Sequence, residues 1–413
     1  MRNGSQTRAL AADLVHRVLD GGAYSNVVVR SPTEALSSQD ARFVQRLLYT
    51  VLRQLPRIDH TLATYADRPL DRIDEVTRDT LRVGVAEILL LDSSPYAAVD
   101  EAVDAVRLRD APRAAGFVNA VLRKVAARGE AELPSGEKGA ALRFGVTEWL
   151  YRRLVGIWGK NEAEAFLSAS NTPALIGLRM RPEAAFEPGE SVPGIQDARW
   201  CAESELAKAA IDARAVAVAD PASTAVGWAV DAGPGMRVAD LAAAPGGKTL
   251  QLADAMEGSG TLVAIDRHER RIRSARHRLS HLGDAVSWLL ADARQPPLAD
   301  GQFDRVLLDA PCTGLGTLRR RPEIKHRLTQ MSPAAAGKRQ RAMLEAGLAL
   351  LSPGGRLVYS VCTVFPEETI DVIAGHGGRA PDGLPGRPWG DGLLLAPHTT
   401  GTDGMFISVF EHS

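Results

Sequence analysis

Beyond about residue 235 the chain alternates short apolar runs with amphipathic stretches, and that alternation admits few folds. The runs RVADLA, TLVAIDR, AVSWLLADA, RVLLDAP, RLVYSVC and MFISVF have the length of strands. Near-continuous apolar strands are those covered on both faces of a parallel sheet. Between them KTLQLADAM, RRIRSARHRLSHL and AAAGKRQRAMLEAGLALL carry apolar residues at helical spacing. The last follows Ser332 as its expected cap and should stop at Gly354 and Gly355. The stretch GGRAPDGLPGRPWGDG, near residues 377 to 392, reads as a loop. The expectation is a doubly wound sheet whose ligand lies beyond the carboxyl ends of its strands.

The preceding chain follows a different period. ALAADLVHRVL, ARFVQRLLYTVLRQL, TRDTLRVGVAEILLL and GFVNAVLRKVAAR repeat apolar residues every three and four positions, with Asp40 and Thr77 near helix starts. Residues 1–130 are therefore expected to form a helical domain, 131–215 a mixed connecting subdomain, and 216–413 the sheet domain. A length of 413 residues with 45% hydrophobic content supports several cores. No stretch suits a signal peptide or a membrane span, so a cytoplasmic protein is expected. Three cysteines without a C-x-x-C pair make neither a disulfide scaffold nor a zinc site, and no metal is expected. A net charge of -1 excludes a globally basic nucleic-acid binder but leaves room for a local patch. The oligomeric state is left open, with a monomer the working expectation.

Four acids, Asp240, Asp266, Asp292 and Asp309, stand at or near successive strand ends. A lone acid there is commonly a turn residue; four in succession favour a ligand. The first introduces DLAAAPGGKT, whose Gly247, Lys248 and Thr249 match the end of a phosphate-binding P-loop. The first glycine of that motif would fall at Ala242, which weakens the nucleotide-hydrolase reading. A glycine-rich strand-loop-helix followed by an acid ending the next strand, Asp266, suits a nucleoside with a small zwitterionic tail. S-adenosylmethionine fits that description, with Asp292 near the adenine amine.

Cys312 follows Asp309 at the end of the fourth strand, and Cys362 ends the fifth. Each alone could be a small buried hydrophobe; as a pair at adjacent strand ends they point to chemistry. Carbon 5 of a pyrimidine is a poor nucleophile until a thiolate adds to carbon 6, after which it can accept a methyl group. Such a thiol needs a positive field, for which Lys248, Arg319, Arg320 and Arg321 are the candidates. Asp309 would hold the cytosine edge, accepting from its amino group or, if protonated, donating to ring nitrogen 3. The basic run LRRRPEIKHR, residues 318–327, reads either as a solvated face or as phosphate contacts for a nucleic-acid strand. Cys201 has no supporting constellation and reads as structural.

DLAAAPGGKT, LLDAPCTGLGTLRRRPEIK, SVCTVFPEE and the terminal GTDGMF resemble the motifs of the RNA cytosine-C5 methyltransferases of the Sun (RsmB-like) and Nop group. The resemblance runs from about residue 170 to the end. AADLVHRVL, FVQRLLYTVLR and GFVNAVLRK resemble the NusB-type RNA-binding domain. Together they imply a multidomain chain, an N-terminal all-α NusB-like domain followed by an α/β Rossmann-like methyltransferase domain, acting on 16S ribosomal RNA. The resemblance implies that Cys362 is the nucleophile and that Cys312 assists proton removal and product release; the residues by themselves leave those roles open. It also places Ala242, Ala243, Ala244, Pro245, Gly246, Gly247 and Lys248, with Asp266, Asp292 and Asp309, at the cofactor. Ala242, Arg181 and Thr369 depart from that pattern, standing where cysteine, asparagine and asparagine are usual. A non-catalytic RNA-binding or ribosome-assembly factor is the rival of a different class.

Overall fold

The computed structural model describes residues 3–182, 184 and 186–412. The chain divides into two compact units. One comprises the described residues up to Thr172 together with Leu318–Leu328; the other comprises Pro173–Thr317 and the described residues from Thr329 onward. The division falls inside 131–215, the stretch read as a connector. Among the described residues no helix is long and apolar enough to cross a membrane.

The helical unit is built around the helices Asn3–Leu19, Ser38–Tyr65, Glu75–Leu90, Pro95–Leu108 and Ala115–Arg128. Their apolar stripes meet in one core that includes Leu14, Leu47, Leu48, Leu81, Val118 and Leu122. Gly84 lets two helices approach, because a Cβ there would stand 2.6 Å from Leu122 Cδ1. The caps are Ser37 and Asp74, whose side chains accept from the backbone N–H of Asp40 and Thr77 at 3.1 and 2.9 Å. Asp40 and Thr77, expected near helix starts, are the third residues of their helices. Three further helices, Gly136–Arg143, Glu148–Trp158 and Lys160–Asn171, extend the same unit.

Pro56 interrupts the long helix Ser38–Tyr65, and Gln54 leaves helical geometry at φ -118° and ψ 17°. Proline has no N–H to offer and its ring crowds the carbonyl four residues back, that of Leu52. The segment Leu318–Leu328 meets the carbonyls at this kink. His326 Nε2 lies 2.7 Å from Leu52 O, and Lys325 Nζ donates to Arg53 O at 2.5 Å. A ring nitrogen facing a carbonyl carries the proton. Lys325 also reaches Asn171 Oδ1 at 3.3 Å, and Glu323 accepts from Ser25 N and Oγ at 3.1 and 2.8 Å. Neither a wholly solvated face nor a run given wholly to phosphate contacts, the two readings of LRRRPEIKHR, describes this segment. Glu323, Lys325 and His326 are engaged inside the helical unit, the first two almost wholly buried, because they satisfy polar groups that the unit cannot satisfy alone.

The second unit opens with a small antiparallel sheet of β1 (Ile176–Met180), β2 (Glu190–Ser191), β3 (Ala198–Cys201) and β4 (Val216–Val218), in the order β2-β3-β1-β4. The main sheet comprises β5 (Arg237–Asp240), β6 (Thr261–Asp266), β7 (Val286–Leu290), β8 (Phe303–Asp309), β9 (Leu351–Val361), β10 (Arg387–Trp389), β11 (Gly392–Leu395) and β12 (Met405–Glu411). Its order is β10-β11-β12-β9-β8-β5-β6-β7. Strands β5 to β9 pair in parallel, whereas β12, β11 and β10 add antiparallel. The chain order reverses at β5, between β6 and β8, so a crevice opens at their carboxyl ends.

Three local expectations differ from the structure, the first being Ser332, which is not a cap but the first residue of its helix behind Met331. The stretch 377–392 is not wholly loop, since β10 and the start of β11 form an edge hairpin there. An edge position tolerates Pro388 because a missing N–H can face away from the ladder. The helix beginning at Ser332 ends at Ala349, ahead of Gly354 and Gly355, which lie within β9, with Gly354 at φ +75°.

Candidate active site

The loop between β5 and the helix Gly247–Ala255 crosses the end of β6. Ala243 N donates to Ile265 O at 2.8 Å, and Gly246 N closes back on Ala243 O at 2.7 Å. Gly246 adopts φ +97°, and a Cβ there would stand 2.9 Å from Leu279 Cδ1, so both conformation and space require glycine. Ala243, Ala244 and Gly246 are buried, Ala242 and Lys248 partly so, and Pro245 and Gly247 are exposed. This presents backbone and a helix N-terminus to whatever occupies the crevice. Asp266 caps the arrangement: its carboxylate accepts from Ala244 N at 3.3 Å and His268 N at 2.9 Å.

Asp240 is buried beneath the loop and accepts from Thr249 Oγ1 at 2.7 Å. Burial pushes its carboxyl up to about 7, against the Thr249 hydrogen bond and with the charge of Asp309 adding to the rise. Asp292 behaves in the opposite way. Side-chain hydrogen bonds from Arg294, together with its backbone N–H, hold the Asp292 carboxyl down at about 2. An amine reaching Asp292 would share that carboxylate with a guanidinium.

Asp309, at the end of β8, accepts from Lys248 Nζ at 2.7 Å on one oxygen and from Ser360 Oγ at 2.8 Å on the other. Ser360 sits opposite Asp309 in the β8–β9 register. Each Asp309 oxygen thus accepts one hydrogen bond from the protein. Burial works against the Lys248 ammonium, but attraction and the hydrogen bond from Asp309, with Cys362 and Asp240 contributing, raise its pKa. Lys248 is therefore a cation whose field reaches Cys362. Arg319, Arg320 and Arg321, the other expected sources of positive charge, belong to the helical unit.

The sheet brings the two strand-end cysteines together: Cys312 Sγ and Cys362 Sγ lie 3.1 Å apart as free, half-buried thiols. The hydrogen bond with Cys362, burial and nearby negative charge push the Cys312 thiol well above its ordinary range. Either sulfur can donate in the contact between them. Cys201 is buried in the core of the small sheet and donates to Glu203 O at 3.3 Å.

One residue at the centre of the site had no role in the sequence reading. Glu368, fully buried, accepts from Thr313 N at 2.9 Å, from Thr363 Oγ1 at 3.3 Å and from Gln340 Nε2 at 3.0 Å, and Thr313 Oγ1 also donates to it. Burial raises the pKa of this carboxyl, and the hydrogen bonds hold it back. Thr313 and Thr363 each follow a cysteine, so the repeated Cys-Thr dipeptide was a legible signal for this link. Thr369 donates to Phe365 O at 2.9 Å and receives Trp389 Nε1 at 3.3 Å, closing the turn after Glu368. Arg181 joins Arg179 on Asp254, at 2.7 and 2.6 Å, beside a cavity of about 1050 Å³ that none of the expected site residues lines.

Comparison with known proteins places the chain in a family. A family model described as 16S rRNA methyltransferase RsmB/F matches residues 229–411, and the NusB family model matches residues 5–127. The chain is similar to ribosomal RNA small subunit methyltransferase B of Pseudomonas putida, at 30% identity over 390 residues covering 91% of this chain and 89% of the relative. The chain belongs to the RsmB/F family of 16S rRNA methyltransferases. The probable ribosomal RNA small subunit methyltransferase B of Bacillus subtilis is 27% identical across 98% of both chains. One solved structure superposes on 100% of this chain and 99% of its own with a TM-score of 0.84 at 24% identity, which shows the shared fold. A methyltransferase homolog protein from Pyrococcus horikoshii covers 68% of this chain and 100% of its own, with a TM-score of 0.57 at 27% identity. The N-terminal helices are thus a NusB domain and the main sheet an α/β methyltransferase fold of the RsmB/F kind.

Proposed function

We propose that the protein methylates carbon 5 of a cytosine in 16S ribosomal RNA, using S-adenosylmethionine and a covalent bond from Cys362 to carbon 6. The observation that carries this reading is the 3.1 Å pairing of Cys312 and Cys362 beside the Asp309–Lys248 ion pair. The loop Ala242–Lys248 and Asp266 fit the cofactor: exposed Gly247, with open space where a Cβ would stand, leaves room for a zwitterionic tail, and the Asp266 carboxylate ends β6 where ribose hydroxyls would donate. Asp292 would meet the adenine only by sharing Arg294. When bound, S-adenosylmethionine supplies an electrophilic methyl group on a sulfonium.

The protein's part is to make carbon 5 nucleophilic and then restore the ring. Cys362 adds as thiolate to carbon 6 while the ring takes up a proton at nitrogen 3, balanced by loss of the Cys312 thiol proton. Asp309 accepts from the cytosine amino group and holds the ring in place, steadied by Lys248 and Ser360. After carbon 5 has gained the methyl group, the Cys312 thiolate removes the carbon 5 proton. The carbon 6–sulfur bond then breaks and its electron pair returns to Cys362. The nitrogen 3 proton leaves to solvent, so the net change is one methyl gained and one proton lost. The target base must leave its stack to reach the pair. A cytoplasmic enzyme meeting ribosomal RNA through its NusB domain completes the reading.

With ribosomal RNA and methyl-labelled S-adenosylmethionine, Cys362→Ala is expected to transfer no label and form no adduct. Cys312→Ala is expected to accumulate a covalent protein–RNA species. Full turnover by Cys362→Ala would overturn the assignment.

A further inference from the structure

Away from the cysteines, the helical unit gathers metal-ligating side chains where the sequence reading expected no metal. His16 and Asp20 stand four residues apart at the carboxyl end of the helix Asn3–Leu19, and Glu75 and Asp79 stand four apart at the start of Glu75–Leu90. That spacing puts each pair on one helical face. His16 Nδ1 lies 3.4 Å from Asp20 Oδ2, 3.5 Å from Asp79 Oδ2 and 3.8 Å from Glu75 Oε2. The donor atoms of His16, Asp20 and Asp79 all fall within 4.8 Å of one another.

Two of these atoms are buried without a hydrogen bond. Asp79 is 0% exposed, and neither its Oδ2 nor His16 Nδ1 makes a hydrogen bond among the described residues. Buried polar atoms are normally satisfied, so an orphaned pair facing each other asks for a ligand. The other oxygen of each acid is already held: Arg82 donates to Asp79 Oδ1 at 3.0 Å and Arg78 to Asp20 Oδ1 at 3.3 Å. The arginines thus orient both carboxylates so that their remaining oxygens turn to the imidazole. Arg82 also holds Asp59. Asp20 pairs with Arg78, Asp59 and Asp79 share Arg82, and Glu75 approaches His16, so four negative charges meet two arginines, an excess that one divalent cation cancels.

We propose that His16, Asp20 and Asp79 bind a first-row divalent transition ion of the zinc class, with Glu75 beside them as the fourth group. A tetrahedral ion with ligands at about 2.1 Å holds its donor atoms about 3.4 Å apart, close to the spacing around His16. One imidazole nitrogen among carboxylates suits such an ion better than magnesium or calcium, which prefer oxygen throughout. The bound ion would tie the first helix to the helix Glu75–Leu90.

The test uses the full chain carrying Cys312→Ser and Cys362→Ser, so that thiolates do not compete, stripped with chelator and titrated with zinc chloride by calorimetry. One equivalent is expected to bind, with affinity falling at least about tenfold in His16→Gln and in Asp20→Asn, both at partly exposed positions. Zinc is also expected to raise the Tm of the parent and leave that of His16→Gln unchanged. Absence of binding to the parent, or binding undiminished by His16→Gln, would overturn the site.

Discussion

Glu368 accepts a hydrogen bond from Thr313 N at 2.9 Å, which ties the residue after Cys312 to an acid six positions beyond Cys362. The same carboxylate receives Thr363, the residue after Cys362, so one buried side chain holds both cysteine-bearing turns. The separation of the two sulfur atoms depends on this acid.

Glu368→Ala should therefore act on geometry as well as stability. It leaves the Thr313 N–H and one N–H of the Gln340 amide, whose other acceptor is Pro311 O, without an acceptor, at a cost of about 3 kcal/mol in urea unfolding. Glu368→Gln, which keeps the shape and one acceptor oxygen, is expected to recover part of the stability. In the Cys312→Ala background, adduct yield should fall with Glu368→Ala more than with Glu368→Gln.

Lys248→Met removes the cation that holds Asp309 and faces Cys362. Methyl transfer is expected to fall about a hundredfold in kcat, the scale on which a positioned electrostatic partner acts. Lys248→Arg should restore part of that loss. An unchanged kcat with a raised KM would instead show that Lys248 only binds substrate.

Asp240 gives the catalytic unit a distinctive pH response. Its folded pKa of about 7 lies above the ordinary 3.8, so between those values the folded state binds more protons than the unfolded chain. Stability from this group is present at low pH and is lost as pH rises through about 7. Subtracting the urea-unfolding profile of Asp240→Asn from that of the wild type, from pH 4 to 8, is expected to leave a fall of a few kcal/mol.

Lys325 should produce the opposite slope in the helical unit. Burial, with Arg53 nearby, lowers its ammonium to about 7 from the ordinary 10.5, so the unfolded chain binds more protons between those values. Stability from this group rises with pH across that window. Lys325→Met should abolish the rise and leave Arg53 O and Asn171 Oδ1 unsatisfied, costing about 2 kcal/mol at high pH. Hydrogen exchange in the helix Ser38–Tyr65, measured from pH 7 to 9 and corrected for intrinsic rates, checks both.

Local period and punctuation carried much of the architecture. Apolar spacing marked the main helices and the strands β5 to β9 and β12, because burial selects side chains by the repeat of the element that carries them. The acids and cysteines at strand ends were visible for the same reason, since a strand's end is a local event. Other features depend on partners distant in sequence. The repeated Cys-Thr dipeptide hinted that Thr313 and Thr363 belong together, but nothing singles out Glu368 or Gln340 as their partners, and nothing in RRRPEIKHR announces a proline kink some 270 residues earlier that needs its donors. The hairpin β10–β11 hid in a glycine- and proline-rich stretch because its ladder is offered by β12 rather than by its own propensity. Sequence therefore determined the repeating elements and the kinds of reactive group at their ends. Folding decided which groups met, because hydrogen bonds and charge pairs are set by distances in space that chain order does not specify.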